Sequence, residues 1–285
     1  MRILVIGRTG QLAREIARRA PGAALLGREE ADLSDPAACA AAVRRHAAEA
    51  DAVVNAAAWT AVDAAEAEEG AARVVNADAP GAMAAECAAL KLPFLHVSTD
   101  YVFDGSGTAP WREDDAPAPL GAYGRTKLEG ERAVAAAGGS HAVLRTSWVV
   151  SAHGANFAKT MLRLGAERAE LRVVDDQVGA PTPAADLAAA LLAMAGRMGA
   201  PEPPSGVFHL ESGPHVSWAG LAERIMERAG LACRIVPIPS RDYPTPAPRP
   251  LNSRLDGTRL RAAFGLGPVD WRPGLDAILD ELGAR

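Results

Sequence analysis

The sequence predicts an α/β protein: a doubly wound parallel sheet of the Rossmann-like type with a smaller C-terminal α/β domain. Two observations predict this fold. Short apolar runs alternate with alanine-rich helical patterns through the first half of the 285 residues, and the first run ends at a glycine turn that opens a helix. Alternating strands and helices place helices on both faces of a parallel sheet, and right-handed crossovers make that sheet doubly wound.

Composition excludes several classes of protein. With 49% hydrophobic residues and a mean hydropathy near zero, the chain suits one large or two modest globular domains. No apolar run approaches the roughly 20 residues that span a bilayer, and a net charge of −5 with interspersed signs argues against a nucleic-acid groove. Cys39, Cys87 and Cys233 are too scattered for a disulfide framework or a zinc site. We therefore expect a cytoplasmic protein without membrane or nucleic-acid partners.

The elements follow in chain order from their apolar periodicity. The predicted strands of the first half are Ile3–Ile6, Ala23–Leu26, Ala52–Asn55, Phe94–Ser98 and Ala142–Thr146. The predicted helices between them are Asp35–Glu49, Ala72–Leu90 and Tyr123–Ala137, after a first helix on which Leu12 and Ile16 share a face. Beyond Ser147 we predict, in order, helix Asn156–Glu167, strand Leu171–Val174, helix Ala185–Arg197, strand Val207–Leu210, helix Trp218–Ala229, the proline-rich segment Pro237–Pro250 and a last helix near Asp276–Leu282.

The first turn predicts a site for a pyrophosphate. Gly7, Gly10 and Ala13 form a G-x-x-G-x-x-A pattern between a buried strand and a helix. In that context, backbone N–H groups and the positive end of the helix meet the anion, and small residues let helix and strand approach. Ligands of such sheets bind at the carboxyl ends of the strands, where Gly7, Asn55 and Ser98 fall.

Tyr123 and Lys127 lie four residues apart near the start of a predicted helix, so their side chains share one face. A phenol titrates near pH 10 and becomes an effective acid–base catalyst when a nearby ammonium favours its phenolate. The pair could therefore hold a cofactor ribose and exchange a proton with a substrate oxygen. By itself, the same spacing is also found on solvated helices without any such role.

With these motifs in one order, the chain resembles the extended short-chain dehydrogenase/reductase family, and most closely the family's reductases of dTDP-4-dehydrorhamnose. The resemblance covers essentially the whole chain. It rests on Gly10–Leu12, Asn55–Asp63, Ser98–Gly105, Tyr123–Glu131, Arg145–Val149, Asn156–Met161, Asp176–Thr182 and Arg249–Leu255.

The resemblance implies reduction of dTDP-4-dehydro-6-deoxy-L-mannose, a 4-keto sugar nucleotide, to dTDP-L-rhamnose by hydride transfer from NADPH, a step of nucleotide-sugar and cell-wall polysaccharide biosynthesis. Its catalytic residues would be Thr99, Tyr123 and Lys127. Tyr123 would protonate the developing alkoxide, Lys127 would hold the nicotinamide ribose and favour the phenolate, and Thr99 would hydrogen-bond the same substrate oxygen. The chain would divide into a dinucleotide-binding domain, 1–148 with a return segment near 173–197, and a sugar-nucleotide substrate domain, 149–172 and 198–285.

The resemblance also implies two sets of binding residues. The cofactor would be bound by Gly7, Arg8, Thr9, Gly10, Gln11, Leu12, Arg28, Asp32, Leu33, Ala56, Ala57, Ala58, Tyr123 and Lys127. The substrate would be bound by Thr99, Asp100, Trp148, Asn156, Arg249 and Asn252. Alternatives stay open at three places: Asp32 could be a turn residue, Trp148 a core residue, and the proline-rich stretch around Arg249 a surface linker.

Cofactor choice depends on the charges after the second strand. Arg28 there and Arg8 in the glycine turn favour the 2′-phosphate of NADPH, whereas Glu29 or Glu30 could bind the ribose hydroxyls of NADH. Some family members carry a magnesium ion between two subunits, which would imply a homodimer. Glu15 matches one of the positions involved, but Ala185 stands at another. No metal ligand is therefore assigned, and magnesium is left undecided.

Three rival functions share this fold. A sugar-nucleotide epimerase or dehydratase would retain bound NAD, but Asp100-Tyr101 lacks the Asp-Glu sequence of the dehydratases. A reductase for another sugar nucleotide would keep every motif named above. A non-catalytic regulatory subunit could keep the cofactor site without turnover, and intact Thr99, Tyr123 and Lys127 argue against that interpretation.

Overall fold

A computed structural model describes residues 1–284 of the chain. Its strands are β1 (Ile3–Ile6), β2 (Ala24–Leu26), β3 (Ala52–Asn55), β4 (Phe94–Thr99), β5 (His141–Thr146), β6 (Val149–Val150), β7 (Glu170–Val174), β8 (Val178–Gly179), β9 (Thr182–Pro183), β10 (Gly206–His209), β11 (Ser212–Gly213), β12 (Val216–Ser217), β13 (Arg234–Ile238) and β14 (Val269–Asp270). Its α-helices are α1 (Gln11–Arg19), α2 (Pro36–His46), α3 (Val62–Ala67), α4 (Glu69–Arg73), α5 (Ala79–Ala89), α6 (Ala122–Ala136), α7 (Phe157–Glu167), α8 (Ala184–Met198), α9 (Trp218–Arg228), α10 (Thr258–Phe264) and α11 (Trp271–Glu281). Within residues 1–284, no helix is both long enough and apolar enough to cross a membrane.

Six parallel strands form the central sheet, in the order β2-β1-β3-β4-β5-β10. The predicted Rossmann-like α/β fold is confirmed. The chain runs outward from β1 to β2 and then crosses to β3 on the other side of β1. The carboxyl ends of β1 and β3 therefore flank the crevice at which such sheets bind ligands.

Helices cover both faces of this sheet because alternate residues of each buried strand point in opposite directions. Ile3 and Val5 pack in one core with side chains of α1 and α8. Leu4 and Ile6, one residue along, pack in another core with side chains of α2 and α5. Burial on both sides explains why β1 is apolar at every position.

The sixth strand of the sheet departs from the predicted division of the chain. Gly206–His209 pairs in parallel with β5, so that Gly206 lies opposite Ala142 and His209 opposite Arg145. The division predicted from the sequence put residues 198–285 in the second domain. The strand itself was correctly expected near Val207–Leu210, but a short apolar run carries no information about which sheet it joins, because that choice depends on packing with distant elements.

A second, smaller core lies beyond the sheet. Strands β7 and β13 pair in parallel and pack with α7, α9 and α11 around Leu171, Ile235, Leu221 and Trp271. The sequence analysis did not predict β13 or α10. The proline-rich segment in fact begins inside β13, at Pro237. Proline is tolerated there because β13 is the edge of a two-stranded sheet.

The helix predicted over Ala72–Leu90 is interrupted by a π-helical turn at Val74–Asp78. Pro80 lacks the N–H that would bond the carbonyl of Asn76, and this is a physical reason for the interruption. The freed carbonyl instead faces Gly130 of α6, where a Cβ atom would lie 2.0 Å from the Asn76 oxygen. The Asn76 amide donates to Thr126 Oγ1 at 3.1 Å and to the Trp59 carbonyl at 3.2 Å, which ties α6 to the loop after β3.

Candidate active site

A cavity of about 1430 Å³ opens at the carboxyl ends of β1, β3 and β4. Most of the residues predicted to bind cofactor or substrate line it together. They are Gly7, Arg8, Thr9, Gly10, Gln11, Leu12, Arg28, Asp32, Leu33, Ala56, Ala57, Ala58, Thr99, Asp100, Tyr123, Lys127 and Trp148. Residues from six separated stretches of the chain therefore meet in one site.

The glycine turn has the geometry of an anion cradle. Gly7 adopts a φ of +118°, which residues with a side chain rarely adopt, and a Cβ atom there would lie 3.4 Å from Ala57 Cβ. Gly10 precedes α1 as its N-cap and has open space where a Cβ would project. The first N–H groups of α1 consequently face the cavity without a side-chain cap, which suits a phosphate.

A polar contact ties this turn to the second core. Asn156, the N-cap of α7, donates from Nδ2 to Gln11 Oε1 at 2.9 Å. The α-carbon of Gly154 also faces Gln11, whose Cγ would be 3.2 Å from an added Cβ. The N-termini of α1 and α7 are thereby held against each other.

At the far end of the cavity, positive and negative side chains are interleaved. Arg8 donates to Glu29 and Glu30 and, through Nη2, to the Leu25 carbonyl at 3.0 Å. Arg28 donates to Asp32 at 3.1 Å. Asp32 also accepts from the Ser34 N–H at 2.9 Å, and its pKa is lowered mainly by that bond. Asp32 is thus a turn residue that also lines the cavity.

The phenol of Tyr123 is partly buried beside two polar groups. Burial, and then the Asp100 carboxylate, raise the pKa of Tyr123 to about 12, while hydrogen bonding with Thr99 acts in the opposite direction. Tyr123 is therefore protonated at neutral pH, the form a proton donor needs. The sequence analysis expected Lys127 to favour the phenolate. In the structure, the lysine amine instead points to the Val97 carbonyl, at 2.7 Å.

Asp100 follows Thr99 at the end of β4 and shares its hydrogen bonds. Thr99 Oγ1 donates to Asp100 Oδ1 at 3.0 Å and accepts from the Tyr101 N–H at 3.1 Å. Burial raises the pKa of Asp100 to about 6. Within residues 1–284, Asp100 Oδ2 and Ser98 Oγ are buried without a hydrogen-bond partner, and both residues line the cavity. These two atoms are suited to bind polar groups of a ligand.

Two tryptophans form one wall of the cavity. Trp148 stacks on Trp218, with ring centroids 3.7 Å apart and an interplanar angle of 16°. Trp148 has a φ of +48°, a left-handed conformation that costs a bulky residue of the order of 1 kcal/mol or more. Phe157 supports Trp218 from behind at 4.5 Å. The strained backbone is held by this packing and turns the Trp148 ring into the cavity.

Comparison with known proteins places this site in a family. The chain matches the family model of the RmlD substrate binding domain over residues 1–284. A dTDP-4-dehydrorhamnose reductase of Burkholderia thailandensis is 47% identical over 99% of each chain, and one of Escherichia coli is 42% identical over 99% of this chain and 98% of its own. The chain belongs to the RmlD substrate binding domain family.

Solved structures of similar proteins agree with this membership. A dTDP-4-dehydrorhamnose reductase of Clostridium acetobutylicum has a TM-score of 0.92 at 34% identity, covering 99% of this chain and 100% of its own. One of Bacillus anthracis, solved in complex with NADP, has a TM-score of 0.91 at 29% identity, covering 98% of this chain and 99% of its own. The family resemblance predicted from the sequence is confirmed.

Three residues predicted to bind substrate do not line the cavity in this RmlD-family chain. Asn252 Nδ2 donates to the Ala109 carbonyl at 2.8 Å, so its amide joins two loops. Arg249 donates to Asp63 Oδ2 at 2.9 Å. Asn156 caps α7. Their residue types fit a diphosphate site, but each side chain is already engaged by partners that are distant in sequence or by a helix terminus.

Several residues of the site escaped the sequence analysis. Trp218 carries no local signal, because one tryptophan at the start of an amphipathic helix resembles a core residue. His96 does carry one, since it is a polar residue in the buried strand β4, and it lies 3.2 Å from Lys127 Nζ. Asn55, expected only at a strand end, contacts His96 at 3.1 Å.

Glu15, at which the sequence analysis considered a magnesium ion, is engaged by arginines. Its carboxylate accepts from Arg19 Nη1 at 2.7 Å and lies 3.5 Å from Arg18 Nη1. In the described part of the chain, no group of three or more His, Cys, Asp or Glu could hold a metal ion. We assign no step to a metal.

Gly124, between the two motif residues of α6, has no room for a side chain. A Cβ there would lie 2.1 Å from the Tyr101 carbonyl oxygen and 2.9 Å from Pro119 Cβ. We expect Gly124→Ala to lower the free energy of unfolding by about 1–3 kcal/mol and to reduce turnover, because the neighbouring Tyr123 must shift. Urea unfolding and steady-state kinetics measure both effects.

Gly70→Ala in α4 is the matched control. A Cβ at Gly70 meets nothing within 4 Å, so alanine should raise stability by up to about 1 kcal/mol through its helix propensity. Equal stability of the two variants would contradict the predicted clash at Gly124.

Proposed function

We propose that this protein reduces dTDP-4-dehydro-6-deoxy-L-mannose to dTDP-L-rhamnose, with NADPH as the reductant. The observation that carries the proposal is the partly buried, protonated Tyr123 beside Thr99, in the same cavity as the glycine turn. The names of six relatives, each at 40–47% identity over nearly the whole chain, support this substrate and product.

The residues present fit a dinucleotide. The glycine turn and the N-terminus of α1 would hold its pyrophosphate, Ala56–Ala58 would allow close approach beside it, and Lys127 would bind the nicotinamide ribose. When bound, NADPH supplies the hydride that reduces the keto carbon. A complex with NADP is known for the Bacillus anthracis relative.

Tyr123 is the proton donor in this proposal. Its protonated phenol would transfer a proton to the alkoxide oxygen that develops as the carbonyl is reduced. Thr99, whose hydroxyl sits between Asp100 and the Tyr101 N–H, would orient that same oxygen. Asp100, which lines the same cavity, would accept a hydrogen bond from a sugar hydroxyl. Positioned proton donation contributes about 10²–10⁴-fold to rate.

The stacked tryptophans would bind the sugar nucleotide. Aromatic rings suit the apolar face of a sugar ring, and Trp148 and Trp218 present a rigid pair of rings to the cavity. Asn156, Arg249 and Asn252 do not line the cavity, and substrate binding by them stays a prediction from the resemblance. A homodimer stays a prediction from the resemblance, and light scattering at several concentrations would test it.

Cofactor preference would depend on Arg28, whose side chain is 81% exposed at the cavity rim. Arg28→Gln should raise the KM for NADPH by about 10–100-fold and leave the KM for NADH nearly unchanged, because a charge-assisted hydrogen bond to the 2′-phosphate contributes about 1.5–3 kcal/mol. Steady-state kinetics with both cofactors measure the ratio. Arg163→Gln on α7, exposed and paired only with Glu167 among residues 1–284, is the control and should change neither KM. An unchanged ratio in Arg28→Gln would exclude a role for this arginine.

The test of the function is oxidation of NADPH and NADH, in parallel, with freshly generated dTDP-4-dehydro-6-deoxy-L-mannose. Loss of nicotinamide absorbance with dTDP-L-rhamnose as the product supports the proposal, and the rate ratio reports cofactor preference. Cofactor binding without turnover would favour another sugar nucleotide or the regulatory alternative.

A further inference from the structure

A chain of buried polar groups lies behind Lys127. Lys127 Nζ is 3.2 Å from His96 Nε2, and His96 Nδ1 is 3.1 Å from Asn55 Nδ2. All three residues are at most 2% exposed. Neither His96 nor Asn55 has a role in the proposed reaction, and buried polar side chains of this kind require an explanation.

The backbone fixes the direction of this chain. Asn55 Oδ1 accepts from the Ala57 N–H at 3.2 Å, and a backbone N–H can only donate. Turning the amide over would place its NH₂ group against that N–H and remove the acceptor. Asn55 therefore presents its NH₂ group to His96, and His96 Nδ1 must carry a lone pair.

The tautomer of His96 in turn restricts the protonation state of Lys127. Burial, and then Lys127, hold the pKa of His96 well below its usual range, so the imidazole is neutral and has one N–H. With Nδ1 accepting from Asn55, that hydrogen lies on Nε2 and points at Lys127 Nζ. An ammonium has no lone pair to accept it, whereas an amine has one. The amine can still donate to the Val97 carbonyl at 2.7 Å.

We infer that His96 is a positioning residue that favours the neutral amine of Lys127 over the ammonium in the cofactor-free protein, through a hydrogen-bond chain that begins at the Ala57 N–H. This role of His96 deepens the proposed function. Only its consequence for cofactor binding rests on that function. The fraction of Lys127 that is an amine before the cofactor arrives takes up a proton when the lysine becomes a donor to ribose oxygens, so cofactor binding and proton uptake are linked near pH 8.

The other titratable groups around Lys127 are paired with other residues or neutral. Burial lowers the pKa of Lys127 to about 8, and the carboxylate of Glu131, four residues along α6, opposes that effect. Glu131 is itself paired with Arg145 of β5, with Arg145 Nη2 2.6 Å from Glu131 Oε2. The negative charge of Glu131 is therefore compensated by the guanidinium. Tyr123, on the same helix face, is neutral at this pH, and Asp100 beyond β4 acts on Tyr123 and Tyr101.

The experiment titrates the lysines of the cofactor-free protein by NMR. The chain has only three lysines, so ¹³C-lysine labelling gives three signals, with exposed Lys91 and partly buried Lys159 as internal references. Lys127→Met assigns the signal of interest. We expect Lys127 to titrate near pH 8. In His96→Gln, whose side-chain amide can turn its oxygen to an ammonium, the amine-to-ammonium ratio at that pH should fall roughly tenfold.

Two further readouts keep the inference falsifiable. The ¹⁵N shifts of wild-type His96 should report hydrogen on Nε2 at every pH studied, which needs no variant. His141→Gln, on the adjacent strand, should leave the Lys127 titration unchanged. Hydrogen on Nδ1 of His96, or the same Lys127 titration in His96→Gln as in wild type, would overturn the inference. Neither readout uses a sugar substrate, so failure of the proposed reaction would be a separate result.

Discussion

Tyr123→Phe is expected to lower kcat by about 10²–10⁴-fold while cofactor affinity stays unchanged. The substitution removes one hydroxyl group from a partly buried ring that lines the cavity, so the packing around the ring is preserved. What is lost is the proton that the phenol, with its pKa raised to about 12, retains at neutral pH and would donate to the reduced carbonyl oxygen. Steady-state NADPH oxidation gives kcat, and quenching of protein fluorescence gives the Kd for NADPH.

Tyr101→Phe is the matched control for this prediction. Its ring packs edge-on against Tyr123 with centroids 5.5 Å apart, and it also lines the cavity. Burial, and then Asp100, raise the pKa of Tyr101 above its ordinary value. We expect less than a tenfold loss there, because Lys127 shares a helix face with Tyr123 alone. An equal loss in both variants would assign the proton to Tyr101 or to the pair.

Glu131→Ala is expected to lower the free energy of unfolding by about 3–5 kcal/mol, because it leaves a buried guanidinium uncompensated. Glu131 and Arg145 are 4% and 3% exposed and form two bonds, Nη2 to Oε2 at 2.6 Å and Nε to Oε1 at 2.8 Å. Arg145 also lies over the Phe103 ring at 5.0 Å and 3.3 Å from His209 Nε2. Urea denaturation measures the loss.

Two further comparisons distinguish the stability effect of burying the Glu131–Arg145 pair from the effect of ion pairing alone. Glu167→Ala removes the partner of Arg163 from a pair that is more than half exposed, and it should cost no more than about 0.5 kcal/mol. The double variant Glu131→Leu with Arg145→Met should recover much of the loss, because hydrophobic replacement of both charges removes the desolvation cost. Equal costs for Glu131→Ala and Glu167→Ala would show that burial of the first pair carries no energetic weight.

Local patterns were sufficient to predict the glycine turn and the tyrosine–lysine pair of the cavity. A strand followed by a glycine turn and a helix commonly binds the pyrophosphate of a dinucleotide. Gly7 and Gly10 belong to such a unit, which is formed by residues next to them in the chain. The same holds for Tyr123 and Lys127, which share a face because of helix geometry alone. Their ionisation could not be predicted from spacing. Burial, Asp100 and the His96 chain determine it, and these depend on how β3, β4 and α6 pack.

The part of the cavity lined by the two tryptophans was predicted less completely. Asn156, Arg249 and Asn252 have the residue types of a nucleotide site, yet each side chain is engaged elsewhere. Trp218 follows Trp148 by 70 positions, and nothing in the sequence brings the two rings together. Only the tertiary structure shows that Trp148 and Trp218 stack on each other.

The sequence by itself determined the parallel α/β sheet, the glycine turn, and the tyrosine–lysine pair, because these depend on periodicities of two to four residues. Only the tertiary structure decided that Gly206–His209 is the sixth strand, that Trp218 faces Trp148, and that His96 lies behind Lys127. Each of these depends on contacts between residues far apart in the chain. Such contacts are selected by the packing of whole elements, which a local pattern does not encode.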